Sequence, residues 1–566
     1  MKSIADTMAL LQSEGRLLRS EHNLLGEAFL VMASAAGIQQ QQEVLAWLLE
    51  PLSIPWIQLE WQNSYLSDPL GLACLCSDSQ FMWNIFHTVT FFEKALKRSG
   101  YKKANWGSTS ASNVSNCSHP MSIHLSWMLP PLLRLLRSIH SLWSPTIAQA
   151  LPEELRRAKS MSLVEQASLL GESNLKQSKG QFSYPESHID MHIERATNEN
   201  DMRNWLKGIR DSGYNVIGLS ANIGDYFFRG LDYSLFAVAF MENVQAMDFR
   251  HERQLIHLVL VPIVKSCPAD LWVAWLQNLL QPLFLCSQQA LSCSWSNLMH
   301  VGRAKVPETF SILPEMELKL EVMEEKLLRD LTREICYLLS VLASPNLNSG
   351  LPSLDQHGNA NRLEPSSLNQ LDTFASNSMI GFLMAHKGLA QPVLRISIDV
   401  LTWTDGEAVA KIVSFFATLI ILTAATDNSE LTEFVAKDLF RAIIQGLSME
   451  SNAIISSDLI GLCREIFVHL SNRDPAPRQI LLSLPCISKD DLVAFEDALT
   501  KTSSPKEQKQ LMRSFLQLAT GNKLRALVSQ RMTNVITNVT ARSRSSAPGP
   551  AQSSEEDNVV GLAAII

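Results

Sequence analysis

Helical periodicity runs nearly end to end in this 566-residue chain, and the helices come in consecutive pairs. From Ser77 to Gly100, the residues Phe81, Ile85, Val89, Phe92 and Leu96 recur at intervals of four or three, which stacks them on one face. Ser77 and Gln80 have capping-box spacing before that run. Gly100 closes it, where a left-handed residue is wanted. Thr404 and Glu407 form the same box before Val409, Ile412, Val413, Phe416 and Ile420. Asp427 and Glu430 stand before Leu431, Phe434, Val435 and Leu439. Ser504, Pro505 and Glu507 open a helix through Leu511, Phe515 and Leu518, and Gly521 ends it. Pro suits the first helical position because its missing N–H was an orphan there anyway. The segments pair as 24–36 with 39–50, 232–245 with 248–265 and 405–425 with 429–447. Each pair takes about 40 residues, the period of HEAT and armadillo-like repeats, and roughly nine to eleven pairs fit. The pattern predicts an all-α, HEAT/armadillo-like solenoid: a superhelix of antiparallel helix pairs. A set of separate helical bundles is the rival reading.

Composition agrees with a long folded array. The chain is too long for one compact core, and 46% of it is hydrophobic. Strand signals are scarce, since the β-branched run Val259 to Val264 continues a helical pattern from Arg253. The most apolar stretch, Ile412 to Ala425, is about 14 residues long, short of the ~20 that cross a bilayer. Leu271 to Cys286 is broken by Gln277, Asn278, Gln281 and Pro282. Both read as buried helices, so no membrane insertion is expected. Helical repeats are expected over 1–159, with a polar loop at 105–120. A polar linker follows at 160–190, then repeats over 191–343, a loop at 344–370 and repeats over 371–542. The tail 543–566 opens with SRSSAPGPAQSSEEDN and cannot bury enough apolar area to offset chain entropy, so disorder is expected there.

The motifs of catalysis are missing. Gly213 and Gly218 have P-loop spacing, but Leu219 stands where the phosphate-binding lysine must be. There is no G-x-S-x-G, H-E-x-x-H or C-x-x-C. His188, Asp190, His192 and Glu194 come nearest to a metal cluster, yet they read as a solvated linker running into a helix. His251 and His257 read as ordinary surface or core residues. Cys74 and Cys76 lack the second pair that completes a zinc site. The chain thus carries no expected catalytic centre, cofactor, metal or small-molecule substrate. The nine cysteines are odd in number and sit mostly in apolar segments, which points to a reducing compartment. Met1 to Gly15 reads as an amphipathic helix without a secretory h-region.

The net charge of −8 excludes a uniformly basic nucleic-acid domain but not a local basic patch. Two clusters rise above the background. The first is Lys94, Lys97, Arg98, Lys102 and Lys103, with Tyr101 and Trp106 interleaved. Cations beside aromatics suit phosphate contact and base stacking. Cations also belong at a helix C-terminus for dipole reasons alone. The second is Lys506, Lys509 and Arg513, one stripe along a helix, with Lys523 and Arg525 after the turn.

Longer stretches carry a family likeness. Residues 24–53 (LLGEAFLVMASAAGIQQQQEVLAWLLEPLS), 119–145 (HPMSIHLSWMLPPLLRLLRSIHSLWSP), 207–228 (KGIRDSGYNVIGLSANIGDYFF) and 520–542 (TGNKLRALVSQRMTNVITNVTAR) resemble, in order, exportin-5-type nuclear export receptors of the importin-β superfamily. The resemblance implies a HEAT superhelix that binds Ran-GTP and small double-stranded RNA cargo, such as microRNA precursors or tRNA. It implies passage through nuclear pore components and shuttling between nucleus and cytoplasm. The likeness is to the C-terminal half of that family's chains, without the N-terminal repeats that hold the main Ran-binding surface. A helical scaffold that binds protein partners without RNA transport is the alternative.

Overall fold

The computed structural model describes residues 6–8, 10, 11, 14, 16–68, 70–99, 119–172, 198–308, 317–349 and 378–520. Residues 105–118 of the expected 105–120 loop, the residues His188 to Glu194, the stops Gly100 and Gly521, and the tail 543–566 lie outside them. The long helices are α1 (Arg19–Ala36), α2 (Ile38–Ile57), α3 (Ser79–Arg98), α4 (Leu125–Ser141), α5 (Glu199–Ala221) and α6 (Tyr233–Met241). Next, α7 joins Phe249–Leu255 to Val261–Ser266 through a wide π turn at Ile256–Leu260. Then come α8 (Asn278–Val301), α9 (Glu317–Leu342), α10 (Lys387–Thr402) and α11 (Gly406–Ala425). In α12, Ser429–Glu433 and Phe440–Leu447 flank a π turn at Phe434–Leu439. The series ends with α13 (Ser456–Leu470), α14 (Lys489–Lys501) and α15 (Pro505–Thr520).

These helices form two ladders. Each odd-numbered helix packs on the next odd one, from α1 through to α15. The even ones stack likewise from α2 to α12, and Ala476–Leu482 links α12 to α14. No β-strand occurs among the described residues. The described residues give seven odd–even pairs plus α15, fewer than the period suggested, because short helices and long connections take up chain between rungs. The expected pair 232–245 with 248–265 straddles two rungs: α6 packs chiefly on α4 and α8, not on α7. One apolar core runs without a break from Met8 to Leu516. Three tryptophans tie helix to helix by setting a buried indole N–H on a partner that burial would otherwise leave wanting. Trp56 of α2 donates to the Met128 carbonyl of α4 at 2.9 Å, Trp205 of α5 to Met82 of α3 at 2.7 Å, and Trp295 of α8 to Thr332 Oγ1 of α9 at 2.9 Å.

Three helix starts fall one residue later than the expected boxes. Asp78 Oδ1 accepts from the Phe81 amide, Asp405 Oδ1 from Ala408 and Asn428 Oδ1 from Leu431, each at 3.0 Å. A carboxylate or amide oxygen at the N-cap reaches the third amide, and an aspartate also complements the positive helix end. Ser77 ends the preceding helix instead, with its Oγ on the Ala73 carbonyl. The polar stretch from 160 also differs from its expectation. It opens with a helix, Leu163–Leu170, set by a reciprocal Ser162/Glu165 box and closed by Gly171 at φ 73°. At 20 residues, α11 is long and apolar enough to cross a membrane by length and composition alone. Here it is packed between α9 and α13.

The glycines with P-loop spacing have a packing role. Both lie inside α5. Pro262 in α7 has no N–H to offer the carbonyl four residues back, that of Leu258. This Leu258 oxygen faces α5 where a Cβ on residue 218 would come within 2.2 Å of it. Only glycine allows that crossing. Gly218→Ala is therefore expected to cost on the order of 1–3 kcal/mol, seen as a lower Tm with unchanged helicity. At the same rung Glu252 is buried and accepts from Ser287 Oγ at 2.6 Å. Burial pushes its carboxyl from 4.5 up to about 7, against that hydrogen bond. Above pH 4.5 the unfolded chain releases this proton before the folded one, so stability falls as pH rises toward 7 and then levels off. The loss is on the order of 3 kcal/mol. Glu252→Gln should raise Tm at about pH 8 and hardly at all at about pH 4.

Candidate nucleic-acid interface

The first basic cluster sits at the C-terminal end of α3, pinned from two sides. Asp78 caps the helix start. Phe86, Val89, Phe92 and Leu96 bury its apolar face. At the far end Gln41 of α2 donates to the Arg98 carbonyl at 3.1 Å. The cations are paired. Glu27 of α1 accepts from Arg98 Nε at 2.8 Å and from its terminal nitrogen at 2.6 Å, and its other oxygen lies 2.9 Å from Lys94 Nζ. Glu93 accepts from Lys97 Nζ at 2.6 Å and from Asn215 of α5 at 2.9 Å. Partial burial works against the charge on Glu27, but the hydrogen bonds from Lys94 and Arg98 outweigh it and hold its carboxyl below the ordinary range. Three cations thus face two carboxylates, and the edge carries little net charge. Tyr101, Lys102, Lys103 and Trp106 lie outside the described residues.

The second cluster is differently placed. Met512, Phe515 and Leu516 of α15 are buried, and Phe515 stacks on Phe495 of α14 at 4.5 Å. Lys506, Lys509 and Arg513 follow one another at spacings of three and four, which sets them on one side. Lys506 is exposed, and Lys509 and Arg513 are half-buried. The Lys509 side chain lies across Gly461 of α13, with Cε and Nζ 3.6 Å from where a Cβ on that residue would stand. None of the three pairs with a carboxylate among the described residues. Lys523 and Arg525 fall outside them.

A third group has no signal in the linear sequence. Lys265 of α7, Tyr337 of α9 and Lys411 of α11 come from successive odd helices. The two ammonium groups each stand 5.9 Å from the Tyr337 ring centroid. Cations beside an aromatic are what the 94–106 segment offered locally, but here the ladder assembles them. Only a known repeat register could have aligned these positions. Among the described residues no group of His, Cys, Asp or Glu could hold a metal. His251 of α7 is buried with its Nε2 3.3 Å from Arg210 of α5, and His257 Nδ1 lies 2.9 Å from Glu334.

A continuous two-layer ladder with basic strips along it defines a helical-repeat protein whose surfaces are suited to binding. A family model described as the Exportin-5 family matches residues 1–531, and the chain belongs to that family. It is 61% identical over 552 residues to Protein HASTY 1 of Arabidopsis thaliana, an alignment covering 97% of this chain and 46% of that protein. Exportin-5 of Dictyostelium discoideum is 24% identical, with 86% of this chain and 40% of that protein aligned. Exportin-5 of Homo sapiens is 22% identical, over 88% and 42% respectively. The chain thus spans less than half the length of these relatives.

The pairing at α3 has a measurable signature. The Arg98 and Glu27 side chains are 50% and 21% exposed, so their coupling should stay within about 1 kcal/mol in a double-mutant cycle of Arg98→Ala and Glu27→Ala. A much larger coupling would mean that the pair holds α1 on α3.

Proposed function

We propose that this chain forms part of a nuclear export receptor, carrying small structured RNA from nucleus to cytoplasm with Ran-GTP. MicroRNA precursors and tRNA are its cargo class, and it passes nuclear pore components as it shuttles. The observation that carries the reading is the family match along nearly the whole chain, together with relatives named as exportins. A transport receptor needs surfaces and no catalytic centre.

The RNA contacts follow from electrostatics. An A-form stem is recognised largely through its phosphates and its shape. Unpaired cations bind phosphate without first giving up a carboxylate. On that ground Lys506, Lys509 and Arg513 make the principal contact. Lys94, Lys97 and Arg98 contribute less, because a phosphate there must displace Glu27 and Glu93. Tyr101, Lys102, Lys103 and Trp106 extend that edge in sequence and serve a single-stranded end.

Charge reversal tests the ranking. Lys506→Glu, Lys509→Glu and Arg513→Glu together should weaken binding of hairpin RNA whatever its sequence. The magnitude of the salt slope should drop by roughly 2–3, near 0.9 per lost phosphate contact. Fluorescence anisotropy between about 50 and 200 mM salt reads both effects. Lys97→Glu with Arg98→Glu and Lys102→Glu should give a smaller loss. If neither triple variant changes affinity or slope, RNA carriage through these faces is refuted, and a scaffold for protein partners takes its place.

A further inference from the structure

Where α5 and α7 meet the end of α4, a cleft opens beside two short helices, Glu153–Lys159 and Leu163–Leu170. Its wall carries five cations, Lys159, Arg203, Lys207, Arg210 and Arg250, but one carboxylate, Glu165. Arg203, Lys207 and Arg210 rise along one face of α5 at spacings of four and three. This convergence comes from four segments of chain and lies apart from α15.

Compensation there falls short. Glu165 is shared between Lys207 at 3.5 Å and Arg250 at 3.4 Å. Arg203 has Glu199 at 2.6 Å, and Arg210 has Asp211 only at 3.9 Å. Two further acids stand behind the wall, with the side chain of Asp248 6% exposed and that of Glu308 fully buried. Burial pushes both carboxyls up, Glu308 to about 8. Of these acids only Glu165 lines the cleft itself, where it faces all five cations.

Donors are also left over. The buried Nε of Arg203 and that of Arg250 have no acceptor among the described residues. Arg250 Nε stands 2.8 Å from Glu308 Oε1, but off the N–H axis, so the contact is a charge contact and no hydrogen bond. Unused guanidinium donors beside a surplus of positive charge are the conditions under which arginine binds a tetrahedral oxyanion.

We propose that this cleft binds a phosphate-class oxyanion, as free phosphate or as the phosphate of a mononucleotide. The ligand supplies two negative charges and several acceptors in one small group. Bound there, it ties α5 and α7 to the two short helices and so braces two rungs of the odd ladder.

The test is calorimetric titration of inorganic phosphate into the full chain, with ionic strength held by sodium chloride. Saturable one-site binding is expected. Lys207→Gln should weaken it by about tenfold, as loss of one charge-assisted contact does. The Lys207 side chain is 43% exposed, so the variant should keep its helicity and Tm in phosphate-free buffer. Adenosine monophosphate binding with similar affinity identifies the ester as the ligand, and no binding of it identifies the free anion. A second measurement needs no variant. Sulfate keeps its charge, so its affinity should fall as pH passes about 8 and Glu308, facing Asp248, Arg250, Arg210 and Glu165, ionises. Absence of saturable phosphate binding, equal binding by Lys207→Gln, or a sulfate affinity flat across that pH range would each overturn the assignment.

Discussion

No helix in this array can bury its apolar face without the helix before it and the helix after it. Everything else depends on that constraint. The core is one strip from Met8 to Leu516, and it holds together through crossings such as that of α5 and α7. There Pro262 frees the Leu258 carbonyl, and Gly218 leaves the space that this carbonyl needs. Fully burying a Leu, Ile or Phe side chain contributes roughly 1.5–3 kcal/mol. Stability therefore accrues along the ladder, rung by rung, as in other repeat arrays. What remains for recognition is the strip of each helix beside these contacts, and the basic residues of interest lie there.

Charge on that surface is decided by partners more than by counts. The chain has 56 acidic against 48 basic residues, so a cation usually finds a carboxylate. Glu27 and Glu93 take up the α3 edge in this way. On α15 the described residues leave Lys506, Lys509 and Arg513 without such a partner. Inside the ladder the balance reverses. At Glu252 and Glu308 burial raises the carboxyls toward neutrality, and neighbouring cations lose compensation. The sign of the local field thus follows burial as much as sequence.

Much of the fold was legible because helix faces are written locally. The spacing of Phe81, Ile85, Val89, Phe92 and Leu96 gave α3, and that of Leu511 and Phe515 gave α15. Caps slipped by one residue where Asp78, Asp405 and Asn428 outcompeted their neighbours for the first free amide. The Leu163–Leu170 helix was hidden because its surroundings are polar, although its Ser162/Glu165 box is plain once sought. The rung register was misread at α6, a nine-residue helix followed by a sharp return. The binding surface was less legible. Arg98 and Glu27 are 71 residues apart, and Lys265, Tyr337 and Lys411 meet only because the odd helices stack. No local pattern reports a neighbour supplied by the ladder.

On the proposed reading, the cations of α15 that lack a carboxylate partner among the described residues are what an RNA stem meets. Ultraviolet crosslinking of a hairpin RNA to the full chain, with the crosslinked peptides read by mass spectrometry, addresses it most directly. Crosslinks concentrated in Pro505–Thr520 and the facing surface of α13 are expected, with weaker ones near Lys94 to Arg98. Crosslinks confined to the α3 edge, or scattered evenly along both ladders, would contradict it.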